Sequence, residues 1–195
     1  MRAMGHREDL LEGAKRVLLE KGYARTTARD IVAASGTNLG SIGYHYGSTQ
    51  ALLNAAMFAA IEDWGERVGA ALAADATPGT DRLTGYWQRV IASFRTDRAL
   101  WIASVEALIQ SEHSPDLRAQ LAAGLQQGRR GMVSLLTGAA EDTVDDAATR
   151  SLGSVQMALM SGLMVQWLAD PEHAPSAEDV VAGLRALATA LQSGR

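Results

Sequence analysis

TTARDIVAASGTNLGSIGYHYGSTQAL, residues 26–52, is the stretch whose reading decides the fold. Thr27 stands where a hydroxyl caps a helix, and Asp30 follows at the third helical position, where the positive end of the helix dipole favours a carboxylate. Ala28, Ile31, Val32 and Ser35 then share one face. Gly36 ends this helix, because glycine tolerates the left-handed conformation that turns the chain, and Asn38 is suited to cap a second helix almost at once. That second helix, Leu39 to about Tyr46, spaces Leu39, Ile42 and Tyr46 to face the first and leaves Ser41, Tyr44 and His45 pointing outward. Two short helices leaving a glycine turn at a steep angle make a helix-turn-helix. An outer face of hydroxyls and an imidazole suits base edges and phosphates.

Working outward, Arg7 to Lys21 reads as a helix with Leu10, Leu11, Ala14, Val17 and Leu18 on one face, closed by Gly22. It completes a three-helix head, with Tyr23 as a packed core ring and Met1–His6 as a loose arm carrying Arg2. Ser48 can cap a longer helix from Thr49 to about Ala74, whose apolar residues join head to body. Beyond it, Asp75–Asp81 with Thr77-Pro78-Gly79-Thr80 reads as a loop and Asp81 as the next cap. Asp97 caps a helix from Arg98 to Ser111, and Ser114-Pro115-Asp116 is a cap, a proline at the first position and an acid in the first turn. Further helices follow to about Leu136, over Asp145–Leu168, and over Ser176–Leu191, with Pro171 and Pro175 bounding the last connection. The expectation is an all-α chain of about nine helices. It divides into a helix-turn-helix head at 1–50 and a larger helical body at 51–195.

Composition sets limits of its own. The 195 residues carry a net charge of −4, yet residues 1–50 hold seven basic against five acidic side chains, so the head is mildly positive and the body acidic. The absence of Cys removes disulfides and thiolate metal sites, and no charged-then-apolar leader opens the chain. A cytoplasmic setting is expected. The apolar stretch Val155–Ala169 is interrupted by Gln156, Ser161 and Gln166 and reads as a buried helix rather than a membrane span. His6, His113 and His173 share no ligand spacing, so no metal and no cofactor are expected. Nor do the residues supply a converging nucleophile and base, which argues against an enzyme.

The order Thr-Thr, Asp-Ile, Ala-Ala-Ser-Gly, Gly-Ser-Ile, Tyr-His-Tyr-Gly-Ser and Ala-Leu-Leu, across roughly residues 8–55, resembles the amino-terminal signature of TetR (tetracycline repressor) family transcription regulators. The resemblance implies a small helical DNA-binding bundle ahead of a larger helical domain that binds ligand and dimerises. By the same resemblance, Thr27, Tyr44, His45 and Thr49 occupy phosphate-contacting positions, with Arg25 and Arg29 beside them, while Leu39, Gly40, Ser41 and Gly43 approach base edges. Three positions depart from the family pattern: Gly43 replaces a common Tyr, Thr49 the usual Lys, and Leu39 a frequent polar or basic residue. Loss of one Lys–phosphate contact reduces the salt dependence by about one unit of slope.

In the body, Trp87, Ile91, Phe94, Trp101, Val105, Met157, Met160 and Met164 recur at helical spacing. Adaptable methionines beside aromatic walls suit a small-molecule pocket and equally suit an ordinary core. Glu106 and Gln156 are the polar residues among them, placed to orient a ligand if a pocket exists. The last two helices carry wide apolar faces, Leu152, Val155, Leu159, Gly162, Gln166 and Trp167, then Val181, Leu184, Leu187, Ala188 and Leu191. In the family such helices pair with their twins. The functional expectation is a homodimeric repressor on double-stranded palindromic operator DNA, released by a small, mostly apolar effector, with no membrane partner. The alternative is a constitutive or activating dimer without a ligand pocket.

Overall fold

The computed structural model describes residues 2–74 and 81–193, without the side chains of residues 2–4 and of Asp81. Among these residues there are nine helices and no strand. They are α1 (Arg2–Lys21), α2 (Ala28–Ser35), α3 (Leu39–Tyr46), α4 (Thr49–Ala74), α5 (Asp81–Thr96), α6 (Arg98–Gln110), α7 (Pro115–Thr137), α8 (Asp146–Ala169) and α9 (Ala177–Ser193). The helical backbone begins at Arg2, so the segment expected to be a loose arm continues α1 instead. The side chain of Arg2, the expected loop at 75–80 and the cap at Asp81 lie outside the described residues.

The caps explain most boundaries. Thr27 and Asp30 form a capping box, the Thr27 hydroxyl accepting from the Asp30 N–H and the Asp30 carboxylate accepting from the Thr27 N–H at 3.1 Å. Gly36 closes α2 with φ +66°, and the Asn38 side chain accepts from the Ser41 N–H to open α3. Ser48 accepts from the Ala51 N–H at 3.0 Å, Ser114 from the Leu117 N–H at 3.3 Å, and Asp145 from the Ala148 N–H at 2.6 Å. Asp97, expected as a cap, has its carboxylate on Arg67 at 2.9 Å and on the Thr96 hydroxyl at 3.0 Å.

The chain packs into two compact units, one of Met1–Gly65 with Ala99–Gly124, the other of Glu66–Arg98 with Leu125–Arg195. This differs from the division at residue 50 expected from the sequence. The first unit has a single core in which Leu10, Ala14 and Leu18 of α1 meet Ile31 of α2, Ile42 of α3 and Leu52 and Met57 of α4. Ala103 and Ala107 of α6 and Leu117 of α7 belong to that same core. The core of the first unit thus extends beyond the three-helix head to α6 and the start of α7. Trp101 of α6 packs edge-to-face on Trp64 of α4 at 4.8 Å, within the same unit.

In the second unit α5 is buried along Tyr86, Trp87, Val90 and Phe94, with Tyr86 and Trp87 edge-to-face at 5.1 Å. The α8 helix is regular except at Thr149–Gly153, where one turn widens to a π-turn. Gly153 there lies so close to α7 that a Cβ would fall 2.6 Å from the Arg129 carbonyl oxygen, which only glycine permits. By length and composition α8 is long and apolar enough to span a bilayer, yet only 22% of its most apolar stretch is buried. The expectation of a buried helix is therefore corrected: much of its apolar surface faces outward.

Candidate nucleic-acid interface

The head is held rigid from behind. Ile42 plants α3 in the core, and the Tyr46 hydroxyl donates to the Arg7 carbonyl at 2.9 Å while the Arg7 guanidinium lies 5.3 Å from the Tyr46 ring. Tyr23, read as a core ring, is 4% exposed, and its polar end is used as well. The hydroxyl donates to Asn54 and accepts from Gln50, which bonds Asn54 at 3.1 Å. This partly buried triangle ties the loop before α2 to the first turns of α4 and was not anticipated. Its signal, Gln50 and Asn54 four residues apart on an otherwise apolar helix, is visible in the sequence once Tyr23 is known to face it.

With α3 anchored by Ile42, its opposite side is open. Tyr44 is 80% exposed, Gly40 and Gly43 are exposed, and Ser41 and His45 are partly so. The Tyr44 and His45 rings stand edge-to-face at 4.8 Å, presenting a hydroxyl and an imidazole side by side. Leu39 is 54% exposed, which corrects its expected packing against α2; at the first position of α3 its side chain points past the turn into solvent, beside the other residues expected at base edges. Nothing lies within 4 Å of a Cβ built on Gly43, so the protein leaves this face open. Thr27 and Arg29 are exposed at the start of α2, and Thr49 is half-buried at the start of α4. Arg25 donates through Nε to the Lys21 carbonyl at 2.7 Å, which fixes its stem near the same edge. The Asp30 carboxyl, hydrogen-bonded first by Lys21 and then by Thr27, is held at about 2, so it is ionised wherever the protein is folded near neutrality.

An exposed helix face backed by a capped turn is the geometry of a recognition helix. The amino-acid sequence agrees: residues 10–56 match the model of bacterial regulatory proteins of the tetR family, and residues 78–190 match the tetracyclin repressor-like C-terminal domain. The chain belongs to the TetR family. It is accordingly a DNA-binding transcriptional regulator, not an enzyme, of a family in which dimers and ligand binding are typical and members are typically cytoplasmic. Among solved structures, this TetR chain shares its fold with a candidate transcriptional regulator from Rhodococcus sp. RHA1, at TM-score 0.72 and 22% identity over 93% of this chain and 94% of that one. A TetR transcription regulator from Haloarcula marismortui aligns at TM-score 0.64 and 16% identity, over 94% of each chain. The multidrug binding protein EbrR complexed with proflavin aligns at 0.66 and 24%, over 93% of this chain and 99% of that one. No curated protein matches the chain.

The residues expected to bind a ligand are distributed over both compact units of this TetR chain. Trp87, Ile91, Phe94, Gln156, Met157, Met160 and Met164 belong to the second unit, Trp101, Val105 and Glu106 to the first. Glu106, expected to orient a ligand, has its carboxylate accepting from the Ala24 N–H at 3.2 Å and lying against Gly22 in the α1–α2 connection. In the second unit four buried polar atoms, Tyr86 OH, Trp87 Nε1, Arg129 Nε and Gln156 Oε1, have no hydrogen-bond partner. Burial pushes the Tyr86 phenol well above its ordinary range, so it remains a donor.

On the outer faces of α8 and α9, Val155 is 55%, Leu187 62% and Leu191 77% exposed. Leu152, Gly162, Gln166 and Ala188 are exposed beside them, and Leu159 and Leu184 are half-buried. Trp167 and Val181, expected on this face, are buried instead; the Trp167 indole N–H donates to the Pro175 carbonyl at 3.1 Å and turns the ring inward.

Proposed function

We propose that the protein is a cytoplasmic homodimeric repressor that holds a palindromic operator and releases it when a small, mostly apolar effector binds. The observation that carries the DNA half is the outward face of α3, where Leu39 and Tyr44 stand exposed and His45 half-buried beside them, on a helix locked from behind by Ile42 and Tyr46. Thr27, Arg29, Tyr44, His45 and Thr49 hold phosphates in this reading, and Leu39, Gly40, Ser41 and Gly43 meet base edges.

The apolar outer faces of α8 and α9 support the dimer, since Val155, Leu187 and Leu191 expose large apolar side chains that a second copy would bury. A two-fold pair would set two α3 helices at half-sites roughly 34–36 Å apart, or somewhat more. The effector reading draws on the unpaired Tyr86, Trp87 and Gln156 atoms, each of which costs about 1–3 kcal/mol when left unsatisfied. A molecule with an apolar body, an acceptor for the two donors and a donor for Gln156 would relieve them. It shifts the operator-binding equilibrium only by its differential affinity for the two states. The complete enclosure of Trp87 supports the second reading, a constitutive or activating dimer whose body is only packed.

Selection of fragments from random duplex DNA by the purified protein, at stated salt, tests the proposal. A two-fold symmetric site is expected and then serves as the probe for effectors. A pool without sequence preference across salt conditions refutes the operator, and operator affinity insensitive to every effector tried decides for the second reading.

A further inference from the structure

A cavity of about 620 Å³ opens in the second unit, lined by Phe94 and Arg95 at the end of α5, Arg98 at the start of α6, Trp167 of α8, and Pro171 and Glu172 of the α8–α9 connection. Its volume falls among small-molecule sites, which run from about 300 to 1,000 Å³. It is separate from the α3 face and holds none of the unpaired buried atoms of Tyr86, Trp87 or Gln156.

Its chemistry is specific. Phe94 and Trp167 give it an aromatic floor. The Arg95 guanidinium lies over the Trp167 ring at 4.6 Å, and that ring is itself fixed by the Pro175 carbonyl. Arg98 donates through Nη2 to the Leu168 carbonyl at 3.1 Å, in the last turn of α8. Both guanidiniums are therefore positioned by neutral groups, an aromatic face and a backbone carbonyl, so their charge is not cancelled at the anchor. Glu172 is the acidic residue of the lining, against two cations. Nearby Asp170 is engaged by His173 at 2.9 Å.

The geometry points to a binding site for a flat aromatic monocarboxylate. Its ring would lie in the apolar part of the cavity beside Phe94 and Trp167, and its carboxylate would take the Arg95 and Arg98 forks, the planar donor arrangement that matches two carboxylate oxygens. Glu172 in the same lining disfavours a second anionic group. This site stands independently of the effector reading above.

Calorimetric titration of the full-length protein with 2-naphthoate, and with 2-naphthalenemethanol as its uncharged counterpart, is the test. Saturable binding of naphthoate is expected, at least about tenfold tighter than the alcohol and weakened at least about tenfold by Arg95→Gln with Arg98→Gln. Glu172→Gln should bind naphthoate as well as the parent or several-fold better. Circular dichroism melting establishes that the variants are folded. Absence of saturable binding, equal affinity for acid and alcohol, or undiminished binding by a folded double-Gln variant overturns the inference. Should that double variant not fold, the acid–alcohol comparison and Glu172→Gln decide, and loss of binding in Glu172→Gln overturns it as well.

Discussion

Replacing Gly13 with Ala adds a single methyl where α1 crosses α2. In an open helix this change stabilises by about 1 kcal/mol, because alanine loses less backbone freedom on folding than glycine does. At Gly13 the added carbon would stand 2.7 Å from the Ser35 Cβ, 2.9 Å from its backbone nitrogen and 3.0 Å from its Cα. Two of those atoms are main chain, so no rotamer change clears them, and α2 must move. Overpacking of this kind costs about 1–3 kcal/mol, which cancels or outweighs the helical gain. Gly43→Ala is the matched control. It is also helical, nothing lies within 4 Å of the new Cβ, and it should gain about 1 kcal/mol. Urea denaturation should therefore place Gly13→Ala below Gly43→Ala by about 1–3 kcal/mol. Gly13→Ala should also bind operator less well, because α2 and the turn to α3 are displaced together. If the Gly13 variant proves as stable as the Gly43 variant, the steric reasoning at the helix crossing is wrong.

Tyr44→Ala combined with His45→Ala should weaken operator binding at least about tenfold, as loss of two charge-assisted or polar contacts implies, while size-exclusion chromatography shows an unchanged dimer. Leu187→Glu should instead yield a folded monomer by light scattering, with operator affinity lost alongside; a persistent dimer would exclude α9 from the interface. Gln156→Met removes an unpaired buried oxygen and should raise stability by about 1–3 kcal/mol while blunting any effector response, and a destabilised variant would mean that the oxygen is satisfied. The Asp30 carboxyl ionises at about 2 in the folded head against 3.8 ordinarily, so its contribution is complete above pH 4 and fades as pH falls toward 2. Asp30→Asn should remove that part of the acid sensitivity in a melting-temperature series.

The order and ends of the helices were legible because they are written locally. Thr27 with Asp30, Ser48, Ser114-Pro115 and Gly36 each act within one turn of where they stand. The outward direction of Tyr44 and His45 follows from spacing alone. Leu39 misled because an apolar residue at the first helical position has no preceding turn to pack under, so periodicity says little about it. The role of Glu106, the inward turn of Trp167 and the tight crossing at Gly13 depend on residues between 8 and 82 positions away along the chain. No short window contains that information. The same limit applies to Arg95 and Arg98, which read as ordinary surface charges until the end of α8 is folded beside them.

The shared core of α1–α4, α6 and the start of α7 bears on how such regulators can be recombined. A chimera that takes the DNA reader by sequence alone would be cut just after the third helix. Here a cut at residue 50 would strip Leu10, Ala14, Leu18, Ile31 and Ile42 from Leu52, Met57, Ala103, Ala107 and Leu117, a cut at 56 would part Leu52 and Leu53 from Met57 and α6, and either would release the Ala24 N–H from Glu106. A transplantable reader therefore consists of residues 1–65 together with 99–124, two stretches that must travel as a pair. Drift in the face of α6 that meets the head is correspondingly constrained by the reader, even though α6 lies in the receiver half of the sequence.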